Sequence, residues 1–426
     1  MIGRYLAPLL AALALSACST GALPRSAAVP PPAATEARAP VTILISIDGF
    51  RPDYLGKGNS PMLDALAAGG VSAAMRPSFP SKTFPNHWTL VTGLRPDHHG
   101  IVANKMEDPA RPGEVFTMAT EDPFWWNAAP PLWVTAEQAG VRSATMFWPG
   151  SVVNWGGTRD REWPNDLEGG TRPHDWQAFA QAMPSEQRTR ALIDWLRRPA
   201  DARPRFLALY FDAIDTAGHR FGPAAPETAA VVAEVDGAIA TLVEGLRSID
   251  QPANLVIVAD HGMAAASADR VVRLDTMLPA ADIRIVESGV YAGLFPAPGR
   301  EAAVEKVLIG RHPHMECWRK AEIPARFHYG TNTRIPPILC LADLGWRVVA
   351  DAAAQAKATS LGEHGYDPTL PDMAALFIAN GPAFRAGATL PGFDNVDVYP
   401  LLAKLIGVTP GANDGTATTF DGVLTR

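Results

Sequence analysis

From residue 41 onward the chain alternates short, near-continuous apolar runs with stretches of helical periodicity. Val41 to Ile47 is apolar at almost every position and stops at Asp48, the pattern of a strand covered on both faces. Leu255-Val256-Ile257-Val258-Ala259 stops at Asp260 in the same way, and Ser143–Phe147, Phe206–Phe211 and Ala374–Ala379 are further strand candidates. Between them, Glu227 to Leu246 sets Val232, Val235, Ile239, Leu242 and Leu246 at helical spacing. The alternation predicts an α/β fold with a mostly parallel central sheet and helices on both faces. Such sheets bind ligands beyond the carboxyl ends of their strands, which is where Asp48 and Asp260 fall. Residues from about 265 to 350 interrupt the pattern and include a Pro/Arg-rich run, Arg326 to Pro337. They are expected to form a smaller inserted cap on a domain spanning residues 41–410, with 411–426 as a C-terminal tail.

The first 40 residues follow different rules. Arg4 precedes an apolar run, Tyr5 to Leu15, too short for a membrane span. Leu15-Ser16-Ala17-Cys18 resembles the lipobox of bacterial lipoproteins, which implies a signal peptide over residues 1–17 and a lipid on Cys18. The Ala/Pro-rich stretch 18–40 then reads as a spacer. Ser19, where an Asp would retain the protein elsewhere, favours the outer membrane facing the periplasm. The expectation is an exported protein that meets the membrane only through this lipid. Export would place Cys317 and Cys340 where a disulfide persists, contributing about 3 kcal/mol by loop entropy. The formal charge of −7 excludes a groove for a nucleic-acid polymer but not a single nucleotide handled by metal ions.

Candidate chemistry centres on Ser81-Lys82-Thr83-Phe84-Pro85-Asn86-His87. Pro85 suits the first position of a helix running to Thr92-Gly93, with Thr83 just before the first turn, near free N–H groups. Alone, Thr83 reads more readily as a helix cap. Its surroundings change that. Asp48, Asp260-His261, Asp215 with His219 four residues on, and His364 between Glu363 and Gly365 supply three Asp and three His. With the Thr83 oxygen they make up the donor set that two zinc ions need.

Ile47-Asp48-Gly49-Phe50-Arg51-Pro52-Asp53-Tyr54, Lys82 to His87, Thr92-Gly93-Leu94-Arg95-Pro96-Asp97-His98-His99-Gly100-Ile101, Ala259 to Met263 and Glu363 to Tyr366 together resemble the bacterial nucleotide pyrophosphatase/phosphodiesterases of the alkaline phosphatase superfamily. The resemblance covers essentially all of residues 41 to 410. It implies two Zn²⁺, one held by Asp215, His219 and His364, the other by Asp48, Asp260, His261 and Thr83. It also implies that Thr83 attacks phosphorus and carries a covalent intermediate, with Asn104 donating to a phosphate oxygen. Ile214 stands where the family often has Pro, which bears on the local backbone of the Asp215 segment.

Phe84 matches the position that stacks on a nucleobase, and Trp163 is assigned as the opposing wall from its place in the chain. Lys82 is expected to point away from the site, which favours a diester over a monoester. The implied activity is hydrolysis of small nucleotides to nucleoside monophosphates. Its rivals are a phospholipid- or choline-type phosphodiesterase, a phosphate monoesterase, and a non-catalytic nucleotide-binding module. A sulfatase is disfavoured because the nucleophile segment lacks Cys/Ser-x-Pro-x-Arg.

Overall fold

The computed structural model describes residues 37–159 and 167–425. Signal, lipidation and spacer assignments up to residue 36, Cys18 included, lie outside the described residues, and so does Trp163. Residues 38 onward form one compact unit.

In chain order its main elements are β1 (Val41–Ile47), α1 (Pro61–Ala68), β2 (Val71–Arg76), α2 (Thr83–Thr92), α3 (Leu132–Gln138), β3 (Ser143–Met146) and β4 (Asp175–Gln177). They continue with α4 (Ser185–Leu196), β5 (Phe206–Phe211), α5 (Ala213–Phe221), α6 (Pro226–Ser248) and β6 (Ala253–Val258). Then follow β7 (Ile283–Glu287), β8 (Tyr291–Pro296), β9 (Gly310–His312), β10 (Met315–Arg319) and β11 (Ile338–Ala342). The last are β12 (Ala375–Asn380), β13 (Ala388–Thr389), β14 (Phe393–Asp394) and α7 (Val398–Ile406).

The central sheet runs β13–β2–β12–β6–β1–β5–β3–β4, with β14 also pairing β2. Strands β6, β1, β5, β3 and β4 are mutually parallel. β12 opposes both of its neighbours. Every residue of β1 and of β5 is buried, which is why both read as unbroken apolar runs. Helices cover both faces. α1, α4 and α5 pack around α6, whose buried stripe includes Val232, Val235, Ile239, Leu242 and Leu246. α2, α3 and α7 form the other layer.

Residues 283–342 contribute a separate antiparallel sheet, β7–β8–β11–β10–β9. Cys317 on β10 and Cys340 on β11 are paired in register and joined by a disulfide. The Pro/Arg-rich run is tied to the segment after α2. Asp97 accepts N–H bonds from Gly330 (3.2 Å), Thr331 (2.9 Å) and Asn332 (3.1 Å), while Arg334 pairs with Asp108 at 2.6 Å. The last residues also pack onto the domain: Phe420 and Val423 are buried, and Thr425 N–H donates to Ala383 O at 2.9 Å.

Candidate active site

Three adjacent strands end at carboxylates. β1 runs into Asp48, β6 into Ala259-Asp260, and β5 into α5, which carries Asp215 and His219 one turn apart. Because β12 runs the other way, the loop that precedes it reaches this same sheet edge and delivers His364. Gly49 has φ +69°, and a Cβ there would lie 3.2 Å from Asp215 Cα. Glycine therefore lets the exit of β1 and the start of α5 approach closely.

The imidazoles are oriented by the backbone. His261 Nδ1–H donates to Gly262 O (2.9 Å), His364 Nδ1–H to Ser81 O (2.8 Å) and His219 Nδ1–H to Gly362 O (2.7 Å). Each Nε2 lone pair is thereby turned inward. His261 Nε2 lies 3.0 Å from Asp260 Oδ2 and 3.4 Å from Asp48 Oδ1. His219 Nε2 and His364 Nε2 lie 3.5 and 3.6 Å from Asp215 Oδ1. Asp48 Oδ1, Asp215 Oδ1 and Asp260 Oδ2 are buried and accept no hydrogen bond.

Lone pairs thus face lone pairs at buried oxygen atoms, which is costly unless cations lie between them. The donor set fits metal ions. Two groups are close enough to hold one: Asp48 with Asp260 and His261, and Asp215 with His261 and His364. Burial and the nearby Asp260 and Asp215 push the Asp48 carboxyl well above the usual range. Burial also raises Asp215. For Asp260 the burial effect is outweighed by His261 and His87, which hold it well below that range.

Thr83 is the first residue of α2, not two residues ahead of it, and Pro85 is the third. The frame shifts because Lys82 is extended and its carbonyl accepts from Asn86 N–H at 3.1 Å. Proline is tolerated at the third position because no first-turn N–H has an intrahelical acceptor. The Thr83 hydroxyl does not cap the helix; Oγ1 lies 3.3 Å from His261 Nε2. Phe84 N–H donates to Asn104 Oδ1 at 3.0 Å, fixing the Asn104 amide beside Thr83.

A cavity of about 470 Å³ starts at Asp48, Thr83 and Asp215 and is walled by Phe84, Trp126, Trp148 and Phe179. Phe84 leans on Phe116 and Trp126 with ring centroids 6.2 and 6.0 Å away. Phe179 is 52% exposed and lines the same cavity. Lys82 does not point away. Its stem crosses Gly365, whose Cβ, if present, would lie 2.7 Å from Lys82 Cε. Its charge reaches Asp215 and His364.

Three further side chains, given no role by the sequence reading, support these groups. Tyr210, on β5, donates its hydroxyl to Asp48 Oδ2 at 2.7 Å. His87 Nδ1–H donates to Thr83 O at 2.8 Å and lies 3.4 Å from Asp260 Oδ2, while Ser46 Oγ donates to His87 Nε2 at 2.8 Å. Ser360 Oγ donates to the Gly362 carbonyl that orients His219. Tyr210 could have been flagged as the one polar tip in the unbroken apolar run of β5. The other two depend on tertiary contacts.

A family model described as type I phosphodiesterase/nucleotide pyrophosphatase matches residues 42–367. A bis(5'-adenosyl)-triphosphatase of Xenopus laevis is 36% identical over 394 residues, 92% of this chain and 83% of its own. An uncharacterized pyrophosphatase/phosphodiesterase of Schizosaccharomyces pombe is 37% identical, over 90% of this chain and 79% of its own. Among solved structures, human ectonucleotide pyrophosphatase/phosphodiesterase 5 superposes with a TM-score of 0.84 at 32% identity, covering 91% of this chain and all of that one. The murine protein, as an inactive threonine-to-alanine variant in complex with AMP, gives the same TM-score and identity. These relatives are eukaryotic, so they do not carry the bacterial origin expected from the N-terminus. The chain belongs to the type I phosphodiesterase/nucleotide pyrophosphatase family, metal-dependent hydrolases of phosphoric ester or anhydride bonds.

Proposed function

We propose that this chain is an exported two-zinc enzyme that cleaves nucleotide diester or pyrophosphate bonds to nucleoside monophosphates through a covalent Thr83 intermediate. The observation that carries the reading is the position of Thr83 Oγ1: first in its helix, buried, and 3.3 Å from His261 Nε2. Asp215, His219 and His364 would hold one zinc, and Asp48, Asp260, His261 and the Thr83 oxygen the other. When bound, zinc supplies Lewis-acid stabilisation of oxygen charge.

The chain's own groups do the rest. Thr83 Oγ1 attacks phosphorus, the bond to the leaving oxygen breaks, and the nucleoside phosphoryl group remains on Thr83. Water then attacks that phosphorus and releases the monophosphate. The Thr83 N–H, lacking an intrahelical acceptor, and the Asn104 amide would donate to a non-bridging oxygen. Phe84 offers the base a face, Trp163 remains the proposed opposing wall, and Phe179, which lines the same cavity, is a further aromatic candidate. This apolar wall beside Thr83 supports a substituted phosphate over a monoester.

The lipid on Cys18 rests on the Leu15–Cys18 motif alone, whereas export also agrees with the ectonucleotide enzymes among the relatives. Among the described residues no helix is long and apolar enough to cross a membrane, and metabolic labelling with palmitate, lost in Cys18→Ser, tests the anchor.

Thr83→Ala tests the mechanism. It should keep its metal, by elemental analysis, and lose at least about 1,000-fold in kcat, as expected for removing an attacking group. Retained turnover would remove Thr83 from the mechanism. A wild type faster on nitrophenyl phosphate than on a nitrophenyl nucleotide diester would favour the monoesterase.

A further inference from the structure

The peptide that follows Thr83 is held at both of its polar atoms. Phe84 N–H donates to Asn104 Oδ1 at 3.0 Å, and Thr83 O accepts from His87 Nδ1–H at 2.8 Å. A peptide group is planar, so this one cannot turn without breaking one of the two bonds. Its plane sets where the Thr83 Cα, and with it Oγ1, comes to rest. His87 is fully buried and lies outside the cavity wall, so it meets no substrate.

The imidazole is fixed on every side. Ser46 Oγ, on β1, donates to Nε2 at 2.8 Å, which leaves Nδ1 as the nitrogen that carries the proton. Nδ1 faces acceptors alone: Thr83 O and, at 3.4 Å, Asp260 Oδ2. Trp148 and Tyr210 stand edge-on to the ring with centroids 5.1 and 5.0 Å away. Tyr210 in turn donates to Asp48 Oδ2 at 2.7 Å. His87 is thus a strut from β1 to the first turn of α2, set among the residues that carry Asp48 and Asp260.

The helix itself does not call for this strut. In a helix that begins at Thr83, the Thr83 carbonyl is already the acceptor for the His87 backbone N–H. The ring adds a second bond where helix formation requires none. Nor is it needed to shape the segment before the nucleophile, which Asn86 does. Asn86 Nδ2 donates to Pro80 O and Lys82 O, both at 2.9 Å, and its Oδ1 accepts from Ser78 N–H at 2.8 Å. What remains for His87 is Thr83 itself.

We propose that His87 is a positioning residue for the nucleophile. By holding the Thr83 carbonyl opposite the Asn104 contact, it fixes the direction from which Oγ1 meets phosphorus. The proposal deepens the reading in which Thr83 attacks and rests on it. Misplacing a reacting atom by about 1 Å costs about 100-fold in rate. The cavity wall is untouched by the change, so the loss falls on kcat and not on KM.

The test compares zinc-loaded wild type, His87→Leu and His87→Asn on a nitrophenyl nucleotide diester. Leu and Asn have nearly the same shape, but only Asn carries a donor in the place of Nδ1. His87→Leu should lower kcat by about 100-fold with KM within about threefold of wild type. Its zinc content by elemental analysis and its AMP affinity by calorimetry should match wild type. His87→Asn should recover at least about 10-fold of the lost kcat, and Ser46→Ala, which only frees the ring, should lose about 3- to 10-fold. Equal losses in Leu and Asn, or a Leu variant within about threefold of the wild-type kcat, would overturn the proposal. A fall in zinc content that parallels kcat would assign His87 to the ligand Asp260 and overturn it too. If His87→Leu does not fold, Ser46→Ala decides: an unchanged kcat would overturn the proposal. A Thr83→Ala variant as active as wild type would instead remove the reading on which it rests.

Discussion

Stripping the metal should destabilise this protein by an amount that can be worked out beforehand. Asp48 Oδ1, Asp215 Oδ1 and Asp260 Oδ2 are buried without a donor, and inward imidazole nitrogens lie 3.0 to 3.6 Å from carboxylate oxygens. A ligand present at 100 times its dissociation constant stabilises the folded state by about 2.7 kcal/mol, so two such sites give about 5 kcal/mol. Unfolding entropy scales near 2.1 cal/mol/K per residue, so a unit of about 390 residues has about 0.8 kcal/mol/K. Chelation should therefore lower the melting temperature by about 3 °C per site and about 6 to 7 °C for both. Scanning fluorimetry with a chelator, then with zinc added back, reads the shift, and Asp48→Asn should retain only one of the two steps. Protein freed of metal by elemental analysis that melts within about 1 °C of the loaded form would refute the reasoning.

Three further outcomes follow from particular contacts. Phe179→Ala removes a half-exposed ring. It should leave the melting temperature nearly unchanged while raising KM for nucleotides about 5- to 100-fold, the worth of one stacked base; an unchanged KM would clear Phe179 of base contact. Reducing the Cys317–Cys340 bridge opens a link of sequence separation 23. The expected cost is about 3 kcal/mol, near 4 °C by calorimetry, without loss of metal. Gly49→Ala forces a Cβ into a left-handed backbone 3.2 Å from Asp215 Cα. Beyond about 1 to 2 kcal/mol of strain, it should weaken metal binding, measured by competition with a chromogenic chelator.

What the sequence made legible followed from burial on two faces. Val41–Ile47 and Phe206–Phe211 could be read to the residue because parallel strands in a central sheet have no polar face to interrupt them. The carboxyl end of the first then located Asp48, as that of Leu255–Ala259 located Asp260, while Asp215 was marked only by His219 four residues on. Strand direction left no such mark: Ala375–Asn380 is as apolar as its neighbours, yet it runs antiparallel and so brings His364 to the site. The frame of α2 was misread by two residues because proline preference at a helix start competes with the Asn86–Lys82 bond, which is invisible in one dimension. Lys82 was misdirected because the channel over Gly365 exists only once two distant loops meet. Phe179 sits in an irregular stretch after β4, where no periodicity separates a cavity wall from a surface ring.

The claim on which everything else depends is that Thr83 becomes covalently attached to the phosphorus of the substrate. Rapid acid quench during turnover of a nucleotide substrate, followed by peptide mass spectrometry, looks at that bond directly. The account predicts a nucleoside-phosphoryl adduct on Thr83 of the segment Ser81 to His87, formed within one turnover and absent in Thr83→Ala. An active enzyme whose adduct maps to another residue, or whose Thr83→Ala variant turns over at the wild-type rate, would contradict it.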